Sequence, residues 1–159
     1  GSIVQWFPWE GGTCIIEVPG AAVVAALEHG CHKLPYRFGL FPMVSGIEFS
    51  ITVDLEAAPG TFGSPFHRVS NVHIAGKPLD EARPYRIATG EYLAEGGDDY
   101  SMLVPMKKLL APEAAPLIHD VIAKHLLSLG PEVEPPAVTG RILHKRSFAM
   151  VVPESEVGA

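Results

Sequence analysis

Residues 90–102 read G-E-Y-L-A-E-G-G-D-D-Y-S-M, and these residue types could grip a flat, polar small molecule. Tyr92 offers an aromatic face six residues before the carboxylate of Asp98, with Gly96-Gly97 between them. Glycine reaches φ > 0 without steric cost, so this pair permits a tight turn and a close backbone approach to a ligand. A stacking surface beside a hydrogen-bond acceptor is what a planar heterocycle requires. A surface turn ahead of a helix is the competing use of the same residues.

The elements that must carry this loop are legible from apolar runs and their breaks. Apolar, β-branched segments bounded by turn residues predict strands at 13–18, 47–53, 68–74, 85–89 and 138–143. The alanine-rich stretch 20–29 predicts a helix with Gly30 as its stop. Ile118, Val121, Ile122, Leu126 and Leu129 keep the i, i+3, i+4 rhythm of a helix over 113–129, closed by Gly130-Pro131. A shorter helix is expected over 102–110, and 59–65 is loop by composition. Strands mixed with packing helices make the fold α+β (mixed α/β), a single domain with a mixed β-sheet.

At 159 residues the chain suits one domain with a core of ordinary size. Its 47% hydrophobic and 19% charged residues are a globular composition. A net charge of −6 gives no electrostatic basis for binding nucleic acid or an anionic membrane. No apolar run approaches the roughly 18 residues that cross a bilayer, and no signal peptide opens the chain. Cys14 falls in a predicted strand and Cys31 just past a predicted helix, so pairing depends on whether those ends meet. Two separate small apolar side chains are the default.

Metal and nucleophile chemistry finds little support. Among the seven histidines the tightest group is Glu28-His29-Gly30-Cys31-His32, but Gly30 is expected to break the helix that would hold the spacing. Zinc needs about three or four ligands in defined geometry. Glu95, Asp98 and Asp99 lack the D-x-D-x-D-G spacing of a calcium loop. Ser45 has no G-x-S-x-G context, and neither C-x-x-C nor a phosphate-cradling G-x-x-x-x-G-K-[ST] occurs.

A second segment changes the reading of the loop. Trp6-Phe7-Pro8-Trp9-Glu10-Gly11-Gly12-Thr13 precedes the first strand, and V-S-G-I-E-F begins at Val44, A-G-K-P-L-D at Ala75 and V-T-G-R-I at Val138. In this order, and together with Y-L-A-E-G-G-D, these motifs resemble the C-terminal domain of the 5'-nucleotidase family of metal-dependent phosphohydrolases. The resemblance runs from about Phe7 to Ile142, so residues 3–143 are expected to form a substrate-recognition domain and 144–159 a tail.

Position by position, the resemblance makes Trp9 and Tyr92 two facing walls of a base-binding slot and Asp98 a polar contact to the nucleoside. Gly96, Gly97 and Glu10 form the rim. Tryptophan and tyrosine stand where phenylalanine is commoner, and Glu10 and Asp99 replace usual glycines, which makes the rim more acidic. The family's catalytic half is an N-terminal metallophosphoesterase domain holding two divalent metals. Its D-x-H, G-D-x-x-D and G-N-H-[DE] signatures do not occur in this chain. The chain is therefore expected to be part of a longer parent, to hold no catalytic residue, metal or cofactor itself, and to hydrolyse no nucleotide alone. The implied partners are a nucleoside or nucleotide and the metal domain, with neither nucleic acid nor a membrane segment. The family leans to periplasmic, secreted or cell-surface locations, though this chain does not fix its compartment. A non-catalytic binding module of the same fold is the first rival. A relative acting on cyclic nucleotides, nucleotide sugars or sulfur compounds is the second.

Overall fold

The computed structural model describes residues 11–34, 38–54, 68–134, 137–138 and 140–147. Trp9, Glu10 and the 59–65 loop lie outside this set. The chain divides into two compact units, one of Gly1–His29 with Leu79–Thr139, the other of Gly30–Pro78 with Gly140–Ala159. The mixed α/β character expected from the sequence holds.

The first unit is built on β1 (Thr13–Pro19), β5 (Pro84–Gly90) and β6 (Lys107–Leu110), with β1 central and all pairings antiparallel. Strand β1 alternates strictly, burying Cys14, Ile16 and Val18 while the residues between them are partly exposed. That period of two makes it a strand with one face in the core. Helix α1 (Gly20–Cys31) buries Gly20, Val23, Leu27, Gly30 and Cys31, one face at helical spacing. It runs through Gly30, past the expected stop. Full burial of Cys31 outweighs the glycine penalty of about 1 kcal/mol.

The start of α1 accounts for the G-K-P-L-D motif. The N–H groups of Gly20 and Ala21 donate to the carbonyls of Arg83 and Glu81, both at 3.0 Å, so the helix N-terminus is satisfied by the following turn. Asp80 organises that turn: its Oδ1 accepts from Ala82 N at 3.0 Å, and its own N–H donates to the Tyr85 hydroxyl at 2.9 Å. The aspartate of G-K-P-L-D is thus a structural clasp.

The second unit is a four-stranded mixed sheet in the order β4 (Lys77–Pro78), β3 (Val69–Ile74), β2 (Ile47–Asp54), β7 (Ile142–Ser147), with β7 parallel to β2. Phe49, Ser50 and Ile51 are all buried, as befits a central strand covered on both faces. Ser50 Oγ accepts from Asn71 Nδ2 at 3.4 Å on the neighbouring strand. Ala75 and Gly76, with φ of 50° and 73°, make the two-residue turn from β3 to β4.

Three sequence expectations shift. The last strand starts at Ile142, not 138, because Gly140 turns the chain at φ 71° and Val138 is fully exposed. It also continues to Ser147, into the stretch expected to be tail. Over 102–110 only a helical turn at Ser101–Leu103 forms, and 107–110 pairs with β1 as a strand. Pro105 cannot donate the N–H that would continue a helix. The late helix, α3 (Ile118–Leu129), begins five residues after 113 because Pro116 forces Ala115 into an extended conformation, φ −98°, ψ 152°.

Neither cysteine forms a disulfide, and both are buried. Burial pushes the Cys14 thiol above its ordinary range, only partly countered by Lys108, and its Sγ lies 3.6 Å from the Thr89 carbonyl. Less thiolate and no access predict that the native protein is inert to Ellman's reagent at about pH 8. In guanidinium both thiols should react. Rapid labelling of the folded protein would contradict this burial.

Candidate functional site

The antiparallel register of β1 and β5 sets Thr13 opposite Gly90. One step further, Glu91 N–H donates to Gly12 O at 2.9 Å, which starts the single turn α2 (Glu91–Ala94). The Gly12 backbone fits closely here, since a Cβ would lie 3.0 Å from Pro112 Cβ and 3.2 Å from Glu91 Oε2. The chain segment that follows Trp9-Glu10 in sequence therefore enters the sheet beside the turn that bears Tyr92. Ala94 is buried and anchors that turn, while Tyr92 is 62% exposed.

The glycines after Tyr92 have separate tasks. Gly96 takes φ 88°, the left-handed conformation expected of this pair. Gly97 has no such φ. Its requirement is proximity: a Cβ there would fall 2.5 Å from Cε1 and Cζ and 2.6 Å from Cδ1 of Tyr92. The close backbone approach foreseen for a ligand is thus made to the tyrosine ring.

Asp98 and Tyr92 are joined by two hydrogen bonds. The tyrosine hydroxyl donates to Asp98 Oδ1 at 3.0 Å and accepts from Asp98 N–H at 3.2 Å. With Gly97 against the ring and Asp98 on its hydroxyl, the phenol is fixed in position while much of its surface stays in solvent. Asp98 and Asp99 both adopt left-handed backbone, φ 52° and 62°. Such a conformation costs L-residues about 1–2 kcal/mol, least for Asp and Asn, and survives where neighbours enforce it. Both aspartates are exposed, so the rim presents carboxylates to solvent.

Glu95, weighed above as a calcium ligand, instead pairs with Lys108 at 3.1 Å. That hydrogen bond holds the exposed lysine ammonium above its ordinary range. Among the described residues no three His, Cys, Asp or Glu side chains gather as metal ligands would.

One participant escaped sequence reasoning. His29, read as one of several scattered histidines, lies with Nε2 2.7 Å from the Asp98 carbonyl, and its ring meets Tyr100 edge-on at 4.7 Å and 77°. No local motif joins His29 to a loop 69 residues later. By helical phase His29 falls nearly opposite the Val23–Leu27–Cys31 face of α1, so no periodicity signal marked it out.

Of the six residues expected at the site, Tyr92, Gly96, Gly97 and Asp98 form one compact cluster. Trp9 and Glu10 lie outside the described residues.

Comparison with known proteins agrees with the fold. The model of the 5'-nucleotidase C-terminal domain family matches residues 1–105. The trifunctional nucleotide phosphoesterase protein YfkN of Bacillus subtilis is 27% identical over 89% of this chain, which spans 9% of that protein. A 5'-nucleotidase precursor from Thermus thermophilus superposes with a TM-score of 0.73 at 24% identity, over 89% of this chain and 27% of its own. The NAD nucleotidase of Haemophilus influenzae shares the fold with a TM-score of 0.69 at 18% identity, over 92% of this chain and 26% of its own. The chain thus spans about a quarter or less of the proteins it resembles.

Proposed function

The chain belongs to the 5'-nucleotidase C-terminal domain family, and on that premise we propose that it is the nucleoside-recognition part of a 5'-nucleotidase-like phosphohydrolase. The base stacks on Tyr92, with Trp9 as the opposite wall and Asp98 contacting the nucleoside. The observation that carries this reading is an exposed aromatic ring held rigid by Gly97 and Asp98, beside the point where the chain from Trp9 enters the sheet. Trp9 precedes Gly12 by three residues, a reach of about 10 Å. Because Asp98 Oδ1 is committed to the tyrosine hydroxyl, Oδ2 is the oxygen assigned to the ligand.

Hydrolysis belongs to the two-metal domain of the parent protein, and this domain contributes binding energy remote from phosphorus. Such energy orients the ester for in-line attack. The phosphate faces that partner domain. Glu10, Asp98 and Asp99 surround the base end with negative charge, which disfavours an anion in this chain alone. The precursor among the solved relatives favours a parent that acts outside the cytoplasm.

Calorimetric titration tests the reading. Adenosine should bind at least as tightly as AMP, and Tyr92→Ala should weaken it at least tenfold, on the scale of one stacked base, roughly 1–3 kcal/mol. A ring 62% exposed contributes little packing, so the melting temperature should hardly move. Tighter AMP than adenosine, or undiminished binding by the variant, would refute it.

A further inference from the structure

We propose that His29 is a positioning residue for the nucleoside site, acting through the backbone of Asp98; this rests on the function proposed above. The carbonyl of Asp98 can only accept, so Nε2 of His29 carries the proton and donates at 2.7 Å. On the other side of the same residue, the N–H and carboxylate of Asp98 engage the Tyr92 hydroxyl. Asp98 is therefore held from both sides: its carbonyl by a helix, its other polar groups by the stacking ring.

The backbone explains why a second hold is needed. Two consecutive non-glycine residues, Asp98 and Asp99, sit in left-handed conformation. Residues in such regions stay there when the surroundings over-determine them. The surroundings are Gly96, which turns the chain into the loop, Tyr100, which is 5% exposed and closes it, and His29, which touches both Asp98 and Tyr100. His29 itself is on α1, whose Val23 and Leu27 are in the core, so the loop is referenced to a fixed element. Releasing the Asp98 carbonyl lets the peptide relax from left-handed geometry. The N–H and carboxylate of Asp98 then leave the tyrosine hydroxyl, and ring and carboxylate lose their mutual orientation. His29 need not touch the ligand to govern its binding.

Two variants separate the hydrogen bond from the ring packing. His29→Phe keeps an aromatic against Tyr100 and removes the donor. His29→Gln removes the ring and offers an amide N–H near the Nε2 position. Hydrogen exchange at the Asp98 and Tyr100 amides reports the loop without any ligand. In His29→Phe these amides should exchange at least fivefold faster, and adenosine should bind roughly fivefold more weakly, the scale of one hydrogen bond. His29→Gln should restore both towards wild type. If His29→Phe exchanges and binds like wild type, or if His29→Gln is as impaired as His29→Phe, the positioning role is wrong. Absence of adenosine binding in wild type would instead refute the proposed function, while the exchange rates would still decide the role of His29.

Discussion

Gly97→Ala is expected to weaken adenosine binding by roughly ten- to a hundredfold while leaving the melting temperature within a few degrees of wild type. The added Cβ would lie 2.5 Å from two ring atoms of Tyr92, closer than non-bonded carbon atoms approach. Something must yield, and an exposed side chain yields more cheaply than backbone. Gly97 is not in left-handed conformation, so alanine suffers no φ penalty of its own. The ring therefore swings away and breaks both hydrogen bonds to Asp98. Losing one stacked base contact removes roughly 1–3 kcal/mol, which sets the expected range. Calorimetry and a thermal melt on the same sample decide it. Wild-type affinity in the variant would mean that the pinned ring is not the binding surface, and a large fall in melting temperature would place Gly97 in the fold rather than the site.

Gly20→Ala should do the opposite and destabilise the fold without touching the site directly. Its Cβ would sit 2.2 Å from Asp80 O, 2.8 Å from Glu81 Cα and 2.9 Å from Asp80 C, all backbone atoms. Helix α1 and the turn would have to part. Two hydrogen bonds, from Gly20 to Arg83 and Ala21 to Glu81, would be stretched or lost. Overpacking costs about 1–3 kcal/mol and each hydrogen bond about 1, so the sum is about 3–5 kcal/mol. For a chain of this size that lowers the melting temperature by about 10 °C or more. Gly39→Ala is the control, since a Cβ there meets nothing within 4 Å. A fall below about 3 °C for Gly20→Ala, or an equal fall for Gly39→Ala, would show that the close approach carries no weight.

The contrast between these glycines shows what the sequence could disclose. The apolar, β-branched run Cys14–Val18 between turn residues marked β1 correctly, while its one-sided burial of Cys14, Ile16 and Val18 emerged only in the fold, since Ile15 is apolar too. Tyr92, Gly96, Gly97 and Asp98 were recognisable as a group, since all lie within one short loop. The expectation of left-handed backbone fell on both glycines, however, and only Gly96 uses it. Asp98 and Asp99 adopt it as well. Asp98 is held by Tyr92 and His29, contacts that propensity cannot anticipate. Strand β6 was misread as helix for a similar reason: Lys107-Lys108-Leu109-Leu110 has no strong local preference and becomes a strand by pairing with Ile15–Glu17 of β1. Asp80 was visible as part of a motif, but its use as a clasp on α1 depends on a partner 60 positions earlier in the chain.

The parallel pairing of β2 with β7 has a consequence for biosynthesis. Strand β2 is complete at Asp54, yet its parallel neighbour begins only at Ile142. Roughly ninety residues must be translated between them, which takes several seconds or more at about 5–20 residues per second. Through that interval β3 can close one side of β2 as a hairpin partner, while the other side offers open N–H and C=O groups to any neighbouring chain. The buried residues Phe49, Ile51 and Val53 lie along that edge. The nascent polypeptide is therefore open to misassociation along this edge until Ile142–Ser147 has been translated.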